Sequence, residues 1–515
     1  MATDLAELQS KLWAVADELR ANSGLKASEY STPVLGLLFL RYADDRFAAV
    51  AEQVGAGSGR YTPGPEAYIA EGALYLPDEA RFERLVELTE ADDLGKALND
   101  AMKAIETHNP SLEGVLPRNY GDLPHNVLVE LLRTLWRLPE SIEGDGFGLI
   151  YEYFLGQFAM SEGQKGGEFF TPTSIVRLIV EVLEPNHGRI FDPACGSGGM
   201  FVQSAHFVER HQGKPSDELS VFGQEKTGET VRLAKMNLAV HGLEGNIREG
   251  NTYYEDLHDC VGKFDFVMAN PPFNVNKVDK TKLEDDPRFP FGLPSTDNAN
   301  YLWIQQFYSA LNDEGRAGFV MANSASDARG SELEIRKQLL ESRAVDVIVA
   351  VGTNMFYTVT LPVTLWFLDK AKATKDPEWA DSVLFIDARE IYNTIDRAHR
   401  DWTNDQIEFL SNIVRLYKQE EVDVTSDESQ AMLDEHFPDG EYVDVPGLCK
   451  FASIEEIEEQ GWSLNPGRYV GAPRVHVTHD FLDEMHRLEE EFNTLSKSAA
   501  ALSDSVSATV RASLS

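Results

Sequence analysis

The sequence predicts an α/β protein: a doubly wound, mixed sheet of about seven strands, preceded by an all-helical region and followed by a helical tail. Three observations predict it. Residues 188–200, GRIFDPACGSGGM, pass from a short apolar run through a glycine loop into a helical pattern. Residues 263–273, KFDFVMANPPF, read as a buried strand stopped by two prolines, which cannot donate to a sheet ladder. Between and beyond these stretches, apolar runs alternate with helical stripes, the rhythm of parallel strands joined by crossover helices.

Composition narrows the class. Of 515 residues, 43% are hydrophobic and 25% charged, which is ordinary for globular chains and ample for a large core. No run of 18 apolar residues occurs, so no transmembrane helix and no membrane partner are expected. The start, MATDLAELQSKLW, has no secretory hydrophobic region, and a cytoplasmic location is the default expectation. Three cysteines, Cys195, Cys260 and Cys449, do not make a disulfide framework. Cys195 has no locally paired histidine, so packing is favoured over a nucleophilic role. No metal cluster is expected, and His206 and His211 read as solvated on a helix. The net charge of −39 repels nucleic acid at long range. Were the chain to act on DNA, the grip would be expected from a more basic partner, with a local cleft near Lys277, Lys280, Lys282 and Arg288 contributing.

Taken in order, residues 1–158 read as helices packed in a bundle. Leu5, Leu8, Leu12, Val15 and Leu19 form one stripe. Ser31-Thr32-Pro33 reads as a cap and first-turn proline ahead of VLGLLFLRYADDRF. Residues 52–66 read as a Gly/Pro loop, and helical patterns resume at 93–106, 125–137 and 147–158. After a polar, glycine-bearing loop over 159–173, Thr171-Pro172 opens a helix striped with Ile175, Leu178, Ile179, Val182 and Leu183. Free N–H groups at such a helix start can receive a carboxylate. Beyond the glycine loop, strands are expected at 219–225, 246–250, 263–269, 316–322, 345–351 and 363–368. Helices are expected near 227–241 and 331–343. Residues 274–300 form a polar loop, read either as facing DNA or as a surface insertion. Asn354-Met355-Phe356-Tyr357 could bring a second aromatic to a substrate base, or pack in the core.

The glycine loop has little Cβ bulk and lets the backbone approach a ligand closely. Gly196-Ser197-Gly198-Gly199-Met200-Phe201 lacks the last glycine of a dinucleotide fingerprint, and no P-loop pattern occurs anywhere. The stretch Asp192-Pro193 to Gly199 resembles motif I of the S-adenosylmethionine (SAM) methyltransferases. Asn270-Pro271-Pro272-Phe273 at a strand's end resembles motif IV of the amino-methyltransferases, and Glu168-Phe169-Phe170-Thr171-Pro172, with Thr173 after it, resembles motif X. The order X, I, IV is that of the γ class. Residues 30–42 with their GLLFLRY core, 395–403 (IDRAHRDWT) and 463–470 (SLNPGRYV) are similar to segments of type I restriction-modification methylation subunits.

That resemblance, covering about residues 5–471, implies a Rossmann-like SAM-dependent methyltransferase domain at 159–471 with its C-terminal extension. It further implies an all-α N-terminal domain at 1–158 and a helical tail at 472–515 for docking a specificity subunit. The implied activity is transfer of a methyl group from SAM to adenine N6 in DNA, with the base flipped out of the helix. Asn270, Pro271, Pro272 and Phe273 would be catalytic. An adenine amino nitrogen has its lone pair delocalised into the ring. The Asn270 side-chain carbonyl and the Pro271 main-chain carbonyl can accept its hydrogens, and Phe273 can stack on the flipped base. SAM would contact Glu168, Phe169, Phe170, Thr171, Pro172, Thr173, Asp192, Gly196, Ser197, Gly198, Gly199, Glu225 and Asn251. Glu225 would accept the ribose hydroxyls, and the family has Asp where this chain has Asn251. The implied partners are DNA, a specificity subunit, a restriction subunit and a second copy of the chain. Two other readings stay open: N-methylation of protein glutamine or RNA, and a non-catalytic SAM-binding scaffold in a defence complex.

Overall fold

The structure is a computed structural model. It describes Trp13, 27–57, 63–88, 92–137, 146–162, 171–356, 361–375, 379–396, 399–472 and short helical pieces between 485 and 499. The chain divides into two compact units, Met1–Val470 and Gly471–Ser515.

The strands in chain order are β1 (Gly188–Asp192), β2 (Leu219–Glu225), β3 (Gly245–Glu249), β4 (Phe264–Ala269), β5 (Leu311–Ala322), β6 (Val345–Val351), β7 (Val363–Asp369), β8 (Ser382–Ala388), a short ribbon β9 (Asn393–Thr394) with β10 (Arg400–Asp401), and β11 (Cys449–Ser453). One nine-stranded sheet runs β11-β8-β6-β7-β5-β4-β1-β2-β3. β7 is antiparallel to both β5 and β6, and β11 to β8; the other neighbours are parallel. The expected mixed sheet of about seven strands is thus present and extended by β8 and β11. Both added strands fall in the stretch read only as a C-terminal extension.

Period-two alternation sends successive side chains to opposite faces. On β4, Phe266 and Met268 join one core while Val267 and Ala269 join the other; on β7, Leu365 and Phe367 oppose Trp366 and Leu368. The first face is covered by helices Thr173–Leu183, Gly199–Arg210, Gly228–Val240 and Asn404–Tyr417, the second by Asn300–Ala310 and Ser331–Glu341. Strands buried on both faces read as continuous apolar runs, which is why β4, β6 and β7 are visible in the sequence.

A separate helical core holds Tyr30, Phe39, Leu98, Leu132, Tyr151 and Phe154. Met236 and Val240 belong to it too, although Val231, Ala234 and Leu238 of the same helix face the sheet. The helix Gly228–Val240 is therefore apolar on two sides and is shared by both cores. The first described helix runs Ala27–Gly57 straight through Pro33. The proline does not start it, because burial of Val34, Leu35, Leu37, Leu38 and Phe39 outweighs one missing N–H donor. The same helix occupies 52–57 of the expected loop. Gly36 lies where a Cβ would meet Tyr120 Oη at 2.3 Å and Pro117 Cγ at 2.4 Å. The buried Arg41 caps this packing by donating to Leu135 O at 3.3 Å.

The segments similar to the type I family lock the extension onto the sheet. Asp327, after β5, accepts from Ser463 Oγ at 2.6 Å and Asn465 Nδ2 at 3.2 Å and pairs with Arg468 at 3.2 Å. Thr403 and Gln406 form a capping box at the start of Asn404–Tyr417. The leucine stripe at 5–19 lies outside the described residues.

Asp346 on β6 is 6% exposed and sits 2.9 Å from Lys418 Nζ and 3.3 Å from Lys372 Nζ. Burial pushes its carboxyl up, but the two ammonium groups outweigh burial and hold it at about 2. Its contribution to stability is present above the usual carboxylate range and is lost as pH falls through about 2. Asp346→Asn leaves two buried cations without their carboxylate. It should destabilise the fold at neutral pH by about 3–5 kcal/mol, read as a lowered thermal midpoint; an unchanged midpoint would contradict this assignment.

Candidate active site

β1 and β4 lie side by side in parallel, with β2 beyond β1 and β5 beyond β4. Chains leaving the carboxyl ends of β1 and β4 diverge, and ligands in doubly wound sheets bind in the crevice this opens. A cavity occupies that position. Thr171, Thr173, Asp192, Gly196, Ser197, Gly199 and Asn270 line it.

Asp192 ends β1 and is 2% exposed. Its Oδ1 accepts the Ala194 N–H at 2.9 Å. Burial pushes its carboxyl well above the ordinary range; the Ala194 N–H opposes this and the Glu225 carboxylate adds to it. Gly196 and Gly198 hold φ of +52° and +81°, which L side chains rarely adopt. A Cβ at Gly196 or Gly199 would meet no atom within 4 Å, so it would fill the cavity rather than clash with the protein. Gly198 caps the helix Gly199–Arg210 in the left-handed conformation. The loop is fixed from outside: Asn237 Nδ2 donates to Ser197 O at 2.9 Å, and Gly196 N donates to Glu225 Oε2 at 3.2 Å. Glu225, at the end of β2, also accepts from Lys226 N at 2.7 Å.

Asn270 follows β4 and donates through Nδ2 to Thr171 Oγ1 at 2.8 Å. The bond joins residues 99 apart in sequence and orients the amide, with Oδ1 on the other side of Cγ. Pro271 is buried, Pro272 is half-buried, and Phe273 is half-buried against the sheet core. Thr171 and Pro172 precede the helix Thr173–Leu183, with Pro172 as its N-cap residue. Glu168, Phe169 and Phe170 lie outside the described residues. Asn251 does not line the cavity. Its Oδ1 accepts from Tyr253 N at 3.2 Å and its N–H donates to Glu255 Oε2 at 2.7 Å, which makes it a turn residue after β3.

Other expectations change. Arg288 is 3% exposed and gives its guanidinium to Asp286 and to the carbonyls of Thr252 (2.6 Å) and Tyr253 (3.2 Å). Lys280 donates to Thr296 O. Arg288 therefore holds the 274–300 loop, because a buried guanidinium needs partners inside the protein, whereas Lys277 and Lys282 of the expected cleft are exposed. Met355 and Phe356 are core residues, and Tyr357 lies outside the described residues. Cys195 is 5% exposed and sits 3.0 Å from where a Cβ of Gly223 would be. Burial pushes its thiol well up, as a packing residue requires.

The sequence reading missed Glu152, Gln203 and Asn237 in the cavity wall. Gln203 and Asn237 are 7% and 1% exposed. A signal existed for Glu152, the one acid inside the apolar stretch 147–158, FGLIYEYFLGQF.

The model of the N-6 DNA methylase family matches residues 142–477, and that of the HsdM N-terminal domain matches residues 8–135. The chain is 37% identical to the type I restriction enzyme MjaIX methylase subunit of Methanocaldococcus jannaschii, over 95% of this chain and 88% of that one. It is 36% identical to the HindI methylase subunit of Haemophilus influenzae, over 77% and 90%. The crystal structure of a type I restriction-modification methyltransferase subunit from Streptococcus thermophilus superposes with a TM-score of 0.72 at 24% identity. That match covers 91% of this chain and all of the other.

Asp192→Asn keeps the oxygen that accepts from Ala194 and removes a charge that burial disfavours. The group's raised pKa means that its charged form costs stability as pH rises past the usual carboxylate range. The variant should melt no lower than the parent at pH 7 yet bind SAM about tenfold or more weakly, a loss of ~1.4 kcal/mol or more, read by calorimetric titration. Unchanged SAM affinity would remove Asp192 from the cofactor site.

Proposed function

The chain belongs to the N-6 DNA methylase family, with the methylase subunits of type I restriction enzymes, and on that premise we propose that it transfers a methyl group from SAM to adenine N6 in DNA. The observation that carries this reading is the Asn270–Thr171 hydrogen bond, which sets the strand-end amide in the wall of the cavity that the glycine loop cradles.

The residues present fit SAM. A cradle kept free of Cβ atoms by Gly196 and Gly199 suits close backbone approach. Asp192 offers a buried carboxylate to a cationic ligand, and Glu225 offers carboxylate oxygens to hydroxyls. Thr171, Thr173 and Ser197 join Asp192 in the cavity wall, while Glu225 does not line it and reaches the glycine loop through the Gly196 N–H. Bound SAM supplies an electrophilic methyl group.

The chain's own residues then position the nucleophile. Asn270 Oδ1 and the Pro271 carbonyl accept the two amino hydrogens of adenine. Those bonds draw lone-pair density back to N6 and stabilise the positive charge that nitrogen gains. Pro271 and Pro272 end the strand and hold these acceptors on stiff backbone. Phe273 presents a ring for the flipped base to stack on. No covalent intermediate on the enzyme is required, and rate comes from orientation and electrostatics.

The family's members are subunits by name, and this chain works within a restriction-modification complex with other subunits. Specificity and restriction subunits and a second copy of the chain are the partners we assign. The partition at 158 and 471 follows the same reading: a helical domain, a methyltransferase domain with its extension, and a docking tail. In support, the described tail residues Met485, Leu488 and Phe492 are 50%, 46% and 70% exposed. No helix among the described residues is long and apolar enough to cross a membrane.

Asn270→Ala should leave SAM binding within about twofold and lower the methylation rate of the assembled complex by about 10²–10³-fold. Single-turnover transfer of labelled methyl groups to DNA reads the effect. A wild-type rate with the fold intact would sink the assignment.

A further inference from the structure

Behind the cofactor cavity, three elements bring together side chains distant in sequence. Glu152 comes from the helix Gly146–Glu162, His206 from Gly199–Arg210, and His241 caps the end of Gly228–Val240. One donor atom from each lies within 4.8 Å of the others. His241 Nε2 is 3.7 Å from Glu152 Oε1, and the His241 side chain is 3% exposed. The rings of His206 and His241 stand 5.4 Å apart at 68°.

The surroundings set the protonation pattern. The Nδ1 of His241 is 2.9 Å from Asn237 O. A carbonyl only accepts, so Nδ1 carries the hydrogen. With the hydrogen of Nδ1 committed to Asn237 O, Nε2 is the ring atom that faces the Glu152 carboxylate. A cation held between the carboxylate and the two rings would satisfy all three groups. The carboxylate itself is oriented by Gln203 Nε2, which donates to both oxygens at 3.2 Å. An imidazole that gives its other N–H to a backbone carbonyl, beside a carboxylate held by a hydrogen bond, is the support that metal ligands usually receive.

We propose that Glu152, His206 and His241 form a binding site for a zinc-class divalent cation, which ties the helical region to the wall of the cofactor cavity. Two imidazoles and one carboxylate are a donor set that zinc takes with a further position left for water. The nitrogen pair disfavours magnesium and calcium, which prefer all-oxygen shells. Bonds of about 2.0–2.2 Å place tetrahedral donors roughly 3.4 Å apart, so the side chains close in by about an ångström. The site has structural consequences for the cofactor. Glu152 and Gln203 line the cavity, and Asn237 supplies both the carbonyl behind His241 and the amide that holds Ser197 O.

The test uses the full-length chain, stripped with chelator and titrated with zinc chloride alone in a calorimeter. One zinc per chain is expected, with a raised thermal midpoint. His241→Ala should weaken binding by more than the roughly 10–100-fold that follows loss of a supporting hydrogen bond at a metal site; His206→Ala should do the same. His211→Ala, on an exposed histidine paired loosely with Asp423 at 3.8 Å, should leave zinc binding unchanged. Zinc bound equally by parent and by the His206 and His241 variants would overturn the proposal, as would a parent that binds none, which would make a proton the bridging cation. Should the variants fail to fold, cobalt(II) added to the parent decides. Visible bands of a low-symmetry, nitrogen-bearing site support the proposal, and the spectrum of the hydrated ion overturns it.

Discussion

A parallel sheet leaves a crevice wherever two neighbouring strands send their chains in opposite directions, and β1 and β4 are that pair here. The rest of the structure depends on this constraint. It sets the carboxylate of Asp192 and the amide of Asn270 beside one cavity, each at the end of a strand held by neighbours on both sides. Neither residue needs a special loop to place it. The loops determine what lies opposite. Glycines with positive φ keep the floor open, and Thr171 reaches across to fix the Asn270 amide.

The helix Gly228–Val240 transmits that geometry outward. One side packs on the sheet and the other enters the helical core. Its Asn237 grips the glycine loop, and its end presents His241 to Glu152. The helical region is therefore a wall of the cavity beside β1 and β4 as well as a separate core. The acidic surface fits the same division of labour. A net charge of −39 disfavours long-range attraction of DNA, and Arg288 and Lys280 are committed to internal partners.

Much of the fold and of the candidate site was legible in the sequence because the signals were local. Strands buried on both faces show as unbroken apolar runs, and the two motif loops are marked by Gly196, Gly198, Pro271 and Pro272. What escaped depends on distant contacts. Pro33 reads as a helix start, and only the packing of the residues after it shows a helix running through. Arg288 reads as a surface cation until the carbonyls of Thr252 and Tyr253 are seen around it. In sequence His206 has His211 as its nearest histidine, whereas His241 is what it meets in space. β8 and β11 lie in the stretch read as a C-terminal extension, and β11, a five-residue edge strand with only two buried residues, carries little strand pattern of its own.

The central claim is a division between chemistry on this chain and sequence recognition elsewhere. The most direct test is labelled methyl transfer from SAM to unmethylated genomic DNA, by the chain alone and with its specificity subunit, followed by identification of the modified nucleoside. The account predicts N6-methyladenine only when the partner is present. Equal methylation by the chain alone would show that it carries its own DNA reader, and label found only in protein would contradict the account outright.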